Sequence, residues 1–201
     1  RYSTALINKH NSGVPVRIIV DPRANEAYPF NAVVLDELAK SGIPMRKKTS
    51  SGIVHWKTMI FAGKGRVQFS GANYSPHAFR PEVPYENYID EVIYFTEDAN
   101  LVNSFKRRFD DVWTSTSGYT TYANAIPLQR HYPLYSIDPR MNFVPTQNFR
   151  SRSVPRYLAE TEGVDSIMFR ITDRAHTDAL IEQIDEVPVR LITDRREDRV
   201  P

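Results

Sequence analysis

A string of about twenty residues occurs twice in this chain, and it restricts the possible folds more than any other feature. Ser3 to Asn11 has the composition of a short helix, and after Gly13 comes Val14-Pro-Val-Arg-Ile-Ile-Val-Asp21. The plan returns from Thr177, ending in Val187-Pro-Val-Arg-Leu-Ile-Thr-Asp194, so that the two Val-Pro-Val-Arg segments lie 173 positions apart. Each copy reads as a helix, a tight turn and a strand opened by proline, which lacks an N–H and is tolerated where a strand begins. A helix leading into such a strand is one unit of an alternating sheet. The expectation is an α/β fold with a mixed, largely parallel sheet flanked by helices.

The two copies differ in what surrounds them. Val164 to Ile171 supplies a strand ahead of the second copy, whereas the first copy opens directly on its helix. The second copy reaches Pro201 before the position 34 residues after Asp194 where, by analogy with Asp21 and His55, its counterpart of His55 would stand. The expected organisation is therefore residues 1–113 as the larger, C-terminal part of a first domain, 114–156 as a linker, and 157–201 as the opening strand-helix-strand of a second domain.

Within the first part, Asn31 to Ala39 reads as a helix with Asn at its start and Gly42 beyond its end. Ile43 to Lys48 reads as a strand. Between Ala99 and Trp113, Leu101, Val102, Phe105, Phe109, Val112 and Trp113 recur at helical spacing, predicting an amphipathic helix that covers the sheet. From Thr114 to Pro155 prolines recur every six to ten residues among tyrosines, a pattern incompatible with one regular element. Arg130, His131, Arg140 and Arg150 in this stretch are expected to line the entrance to a site.

The chemistry concentrates in His55-Trp-Lys57-Thr-Met-Ile-Phe-Ala62 and in Ser70-Gly-Ala-Asn73-Tyr-Ser75, which follows one hairpin later. The first run is predicted to be a strand bounded by Ser51-Gly52 and Gly63-Lys-Gly65. With side chains alternating faces, His55 and Lys57 project together about 7 Å apart, and Trp56 and Thr58 face the other way. An imidazole and an ammonium at that spacing suit one phosphate group, with the Asn73 amide and nearby backbone amides in reach.

These residues resemble the HxKxxxxD and GSxN motifs of the phospholipase D superfamily. His55, Lys57 and Asn73 match; Ala62 stands in place of Asp, and Ser70-Gly71 in place of Gly-Ser, with the Ser70 side chain expected on the face opposite the site. Glu86, in Tyr85-Glu-Asn-Tyr88 followed by Ile89-Asp-Glu-Val-Ile-Tyr-Phe95, corresponds to the family's acidic residue just before its next strand. The resemblance implies a catalytic set of His55, Lys57, Asn73 and Glu86. His55 would be nucleophile or general acid through a phosphohistidine intermediate, Lys57, Asn73 and Ser75 would bind phosphate, and Glu86 would orient the His55 ring. It implies a phosphodiester hydrolase or phosphatidyl transferase, with this chain supplying one half-site and the other coming from a further part of the parent chain or a homodimer mate. The alternatives are a degenerate phosphate-binding or scaffold domain, to which Ala62 and Gly71 point, and a nuclease.

Composition narrows the partners. Lys and Arg number 26 against 24 Asp and Glu, a formal charge of +2 that leans towards a phospholipid rather than nucleic-acid substrate. Without cysteine, and with no HExxH-type spacing among the five histidines, a metal- and cofactor-independent mechanism is expected. No apolar run approaches the roughly 20 residues of a membrane-spanning helix, and no signal-type segment is visible, so the compartment stays open.

Overall fold

The computed structural model describes residues 2–75, 78, 83 and 89–194. They fall into two compact units, 1–141 and 142–201. In the first unit, helix α1 (Tyr2–Asn11) and the turn at Gly13, whose φ of 85° suits glycine, lead to strand β1 (Ile18–Val20). The short helix α2 (Ala24–Ala27) precedes α3 (Pro29–Lys40), which begins two residues before the expected Asn31 because Pro29 fits the first helical turn. Strand β2 (Met45–Lys48) runs parallel to β1. Leu35 and Leu38 of α3, with Ile43 and Met45, form a core against which Leu6, Ile7, Ile18 and Tyr122 pack.

A second sheet carries the His-x-Lys segment. Strands β3 (Lys57–Phe61), β4 (Arg66–Ser70) and β5 (Ile93–Thr96) pair antiparallel throughout. Helix α4 (Ala99–Trp113) then forms over the residues its periodicity predicts, and the carboxylate of Asp98 caps it by accepting from the N–H groups of Asn100 and Leu101 at 3.0 and 3.1 Å. Its buried face includes Val102, Phe105, Val112 and Trp113. Phe105 meets the β4 ring of Phe69 at 5.0 Å between centroids.

The structure differs from expectation in the stretch from 114 to 141. Strand β6 (Tyr119–Ala123) joins β2 antiparallel, so residues expected as linker complete the first sheet. Beyond it the chain is fastened to α4. The buried Asp110 carboxylate accepts from the backbone N–H groups of His131 and Tyr132, both at 2.6 Å, and pairs with Arg17 at 3.0 Å. Arg130 pairs with Asp111, and Arg140 with Asp138 and Asp98. These arginines hold the segment through ion pairs. Prolines prevent regular structure here, but a buried carboxylate and hydroxyl satisfy the backbone amides instead: Ser104 Oγ accepts from the N–H of Asp138 at 2.8 Å.

In the second unit, helices α5 (Arg150–Leu158) and α6 (Arg174–Gln183) pack together, and strands β7 (Val164–Met168) and β8 (Val189–Thr193) pair parallel. Both copies of the repeated string thus form a helix followed by a strand. Arg150, expected near a site entrance, pairs with Asp173. The expectation of a largely parallel sheet does not hold for the described strands. β1–β2 and β7–β8 are parallel, but β2–β6, β3–β4 and β4–β5 are antiparallel; of these, β3–β4 is joined by a short hairpin, a connection that permits only that sense. No helix among the described residues is long and apolar enough to cross a membrane.

Candidate active site

The site is built on the first turn of β3 and the last of β4. His55 lies two residues ahead of β3 rather than within it, since Val54 is drawn to β1's end, where its N–H donates to the Asp21 carboxylate at 3.0 Å. Lys57 opens the strand and is 8 % exposed. Its ammonium donates to the His55 backbone carbonyl at 2.9 Å, which satisfies one of its three donors and folds the two residues onto one another. Trp56 turns the other way, with the Arg108 guanidinium of α4 5.5 Å from its ring centroid.

Register decides what else faces Lys57. Lys57 pairs directly with Ser70, and Met59 with Gln68, so these four side chains share one face of the sheet, while Thr58, Ile60, Val67 and Phe69 take the other. Ser70 was expected to point away from the site; it is instead the cross-strand neighbour of Lys57. Its hydroxyl accepts from Gln68 Nε2 at 3.4 Å, and the Tyr74 hydroxyl donates to the same Gln68 amide. Burial among these groups pushes the Tyr74 phenol up to about 12. The predicted phosphate ligands Asn73 and Ser75 follow immediately. Asn73 is exposed, its carbonyl accepts from the N–H of Ser75 at 2.7 Å, and its side chain makes no hydrogen bond to His55 or Lys57. Ala62, at the position of the motif's Asp, begins a short 3-10 turn at the far end of β3, away from Lys57.

The acidic residue expected to orient His55, Glu86, lies outside the described residues. A carboxylate that the sequence did not single out is present at the site. Glu91, two residues ahead of β5, has a side-chain oxygen 2.9 Å from the position a Cβ on Gly71 would take. Its signal was available in the acidic pair Asp90-Glu91 just before an apolar run that pairs with β4.

Electrostatics link the three groups. Partial burial lowers the His55 ring below its ordinary value, Lys57 lowers it further, and Glu91 raises it. Burial also lowers Lys57, against the pull of Glu91. The outcome is an imidazole that favours its neutral form near neutral pH, the form that carries a nucleophilic lone pair.

A second arrangement of chemically suggestive residues occurs in the 142–201 unit. Ser153 Oγ lies 2.6 Å from His176 Nε2, and His176 Nδ1 lies 2.9 Å from Asp173 Oδ1. Ser153 is 6 % exposed and its hydroxyl donates to the Phe149 carbonyl at 2.9 Å, while Phe149 and Tyr157 pack on the imidazole. This is a packed polar seam between α5 and α6, closed to a substrate.

A model of the cardiolipin synthase phospholipase D-like domain matches residues 1–113 of this chain. The chain belongs to the phospholipase D-like family. The matched region contains the whole His55, Lys57 and Asn73 constellation, together with Glu86 and Glu91. Among curated proteins, the chain is 28 % identical over 112 residues to the mitochondrial cardiolipin hydrolase of Chlamydomonas reinhardtii, a match covering 55 % of this chain and 45 % of that relative. The chain thus aligns with less than half the length of that relative. No solved structure matches it.

Proposed function

We propose that this phospholipase D-like chain contributes one half-site of a phosphodiesterase that acts on phospholipids through a phosphohistidine. The observation that carries the reading is the buried Lys57 ammonium, bonded to the His55 backbone carbonyl at 2.9 Å on an edge strand where Ser70 is its cross-strand neighbour. A ring nitrogen of His55 attacks phosphorus and forms a P–N bond as the P–O bond to the leaving alcohol breaks. The partner half-site's acid gives that alcohol its proton and is left as a base; water then passes a proton to that base as its oxygen bonds to phosphorus and the P–N bond breaks, which restores both groups. If the roles of the two half-sites are exchanged, His55 is that acid. Lys57 and Asn73 hold the non-bridging oxygens, where negative charge builds up. Glu86 orients the His55 ring. The match to a cardiolipin synthase domain and the resemblance to a cardiolipin hydrolase favour phospholipid over nucleic acid.

The half-site reading is tested by measuring specific activity against chain concentration, with short-chain phosphatidylglycerol and a single-stranded oligonucleotide as parallel substrates. Activity that rises with dimer formation, prefers the lipid and vanishes in His55→Ala supports the proposal. Equal specific activity in strictly monomeric protein overturns the half-site, and preference for the oligonucleotide overturns the lipid assignment. Inactivity of both monomer and dimer favours the scaffold reading.

A further inference from the structure

The end of the first sheet from which the chain runs on to His55 also carries large apolar side chains in water. The α2–α3 junction presents Tyr28 and Phe30, 66 % and 62 % exposed, and the segment after β2 presents Ile53 at 63 % and Trp56 at 39 %. Scattered exposed apolar residues are ordinary, but these segments are tied together. Arg23, just ahead of α2, donates to the Ser50 carbonyl at 3.2 Å, and the Val54 N–H donates to Asp21 at 3.0 Å, which fastens the loop after β2 to the β1–α2 connection. Tyr28 follows one helical turn later, its N–H donating to the Ala24 carbonyl at 2.9 Å. The loop reads Thr49-Ser-Ser-Gly52, with Gly52 at a φ of 74°, and an isoleucine left in water after such a polar turn is unfavourable unless something covers it.

The charges beside these side chains are mostly positive. Arg23 is engaged by Asp21, to which its Nε donates at 2.7 Å, and Glu26 is an exposed carboxylate on α2. Lys48 lies 5.0 Å from the Tyr119 ring centroid and donates to Ser50 Oγ at 2.9 Å, and the Arg108 guanidinium lies 5.5 Å from the ring centroid of Trp56. Among the described residues, neither Lys48 nor Arg108 meets a carboxylate within ion-pair distance. Exposed rings and aliphatic side chains beside cations without a counter-ion suit the interfacial layer of a bilayer, where rings sit at headgroup depth and lysine and arginine meet lipid phosphates.

We propose that this rim is the face on which the protein docks to a bilayer containing anionic phospholipid, with Tyr28, Phe30, Ile53 and Trp56 entering the interface and Lys48 and Arg108 meeting headgroup phosphates. Charge selects the occupant. A second copy related by a two-fold axis would set the same uncompensated cations against each other, whereas an anionic lipid surface supplies their counter-charge. The proposal deepens the phospholipid reading and rests on it for its meaning, because docking would present a headgroup phosphodiester to the segment where His55 adjoins Trp56.

The test is co-sedimentation of the whole chain with vesicles of equal parts phosphatidylcholine and phosphatidylglycerol, beside vesicles of phosphatidylcholine alone. Binding is expected to the mixed vesicles, and several-fold weaker binding to phosphatidylcholine alone and in high salt. Trp113 is 1 % exposed, so quenching of tryptophan emission by brominated acyl chains reports Trp56 and should vanish in Trp56→Phe. The double variant Phe30→Ser/Ile53→Ser is expected to weaken binding at least about tenfold, since two large apolar side chains no longer leave water. Lys48→Gln should cost about fivefold on the mixed vesicles alone. If the double variant loses its circular dichroism spectrum, the salt dependence and the Trp56 quenching decide alone. Absence of binding to the mixed vesicles, an unquenched Trp56, or binding that a folded double variant leaves unchanged overturns the proposal. Self-association that the double variant abolishes, without vesicle binding, overturns it too and assigns the face to a contact between copies. Vesicle binding without phosphodiester turnover would sink the phosphodiesterase reading and leave the docking face standing; turnover of short-chain phosphatidylglycerol without vesicle binding does the reverse.

Discussion

Replacing Asp110 with alanine removes the group that fastens residues 131 and 132 to α4. Its carboxylate is fully buried, pairs with Arg17 at 3.0 Å and accepts two backbone N–H groups at 2.6 Å each. The loss leaves two amides without their acceptor and the Arg17 guanidinium without its counter-charge, although Phe109 and Trp113 still flank that guanidinium at 5.0 and 5.2 Å. Breaking a buried pair by removing one partner costs about 3–5 kcal/mol. The unit spans 141 residues, so at about 2.1 cal/mol/K per residue its unfolding entropy is roughly 0.3 kcal/mol/K. Dividing one by the other predicts a fall in Tm of about 10–17 °C. Differential scanning calorimetry of wild type, Asp110→Ala, Arg17→Met and the double variant provides the check. The double variant should be less destabilised than the sum of the singles, since it buries no lone charge. A Tm drop below about 4 °C for Asp110→Ala, a value expected of a single weak contact, would refute the claim that this carboxylate organises the segment.

Three further outcomes are expected. Arg46, which donates to the carbonyls of Trp113, Ser115 and Tyr119, should not be replaceable by lysine; Arg46→Lys should lower stability by about 1–3 kcal/mol in a urea titration, because a single ammonium cannot reach three acceptors in that fork geometry. Asp173 is held down to about 2 by Arg150 and His176, against an ordinary value of 3.8; a lowered carboxyl stabilises above the ordinary value and loses that contribution as pH falls towards 2. Melting curves of wild type and Asp173→Asn should therefore differ at pH 5 and converge near pH 2. Lys57→Met should reduce phosphodiester turnover at least tenfold while the fold persists, because a buried ammonium is exchanged for an apolar chain of similar length; the circular dichroism spectrum and kcat together check it.

What could be read from the sequence was what depends on local pattern. α4 occupies the predicted residues because its apolar stripe and its capping Asp98 are both local signals. The repeated string gave its helix and strand in both copies for the same reason. The details of the site were hidden because they depend on partners distant in sequence. Nothing in positions 66–71 reveals that Ser70 pairs with Lys57, since a slip of one residue would turn the hydroxyl to the opposite face. Strand β3 begins at Lys57 rather than His55 because Asp21, more than thirty residues earlier, takes the Val54 amide. The stretch after 114 looked like a linker because proline spacing is visible in sequence and a buried acceptor such as Asp110 is not. The approach of the Glu91 carboxylate to Gly71 is likewise invisible in sequence, because only the β4–β5 register brings the two together.

The most direct test of the central claim is the turnover of a short-chain phosphatidyl diester by dimeric protein carrying His55→Ala, beside wild type and His10→Ala, a histidine of α1. The account predicts a loss of at least about a thousandfold in His55→Ala, the scale expected when a nucleophile or its proton donor is removed, with His10→Ala unaffected. Retention of activity within tenfold of wild type by His55→Ala would contradict it.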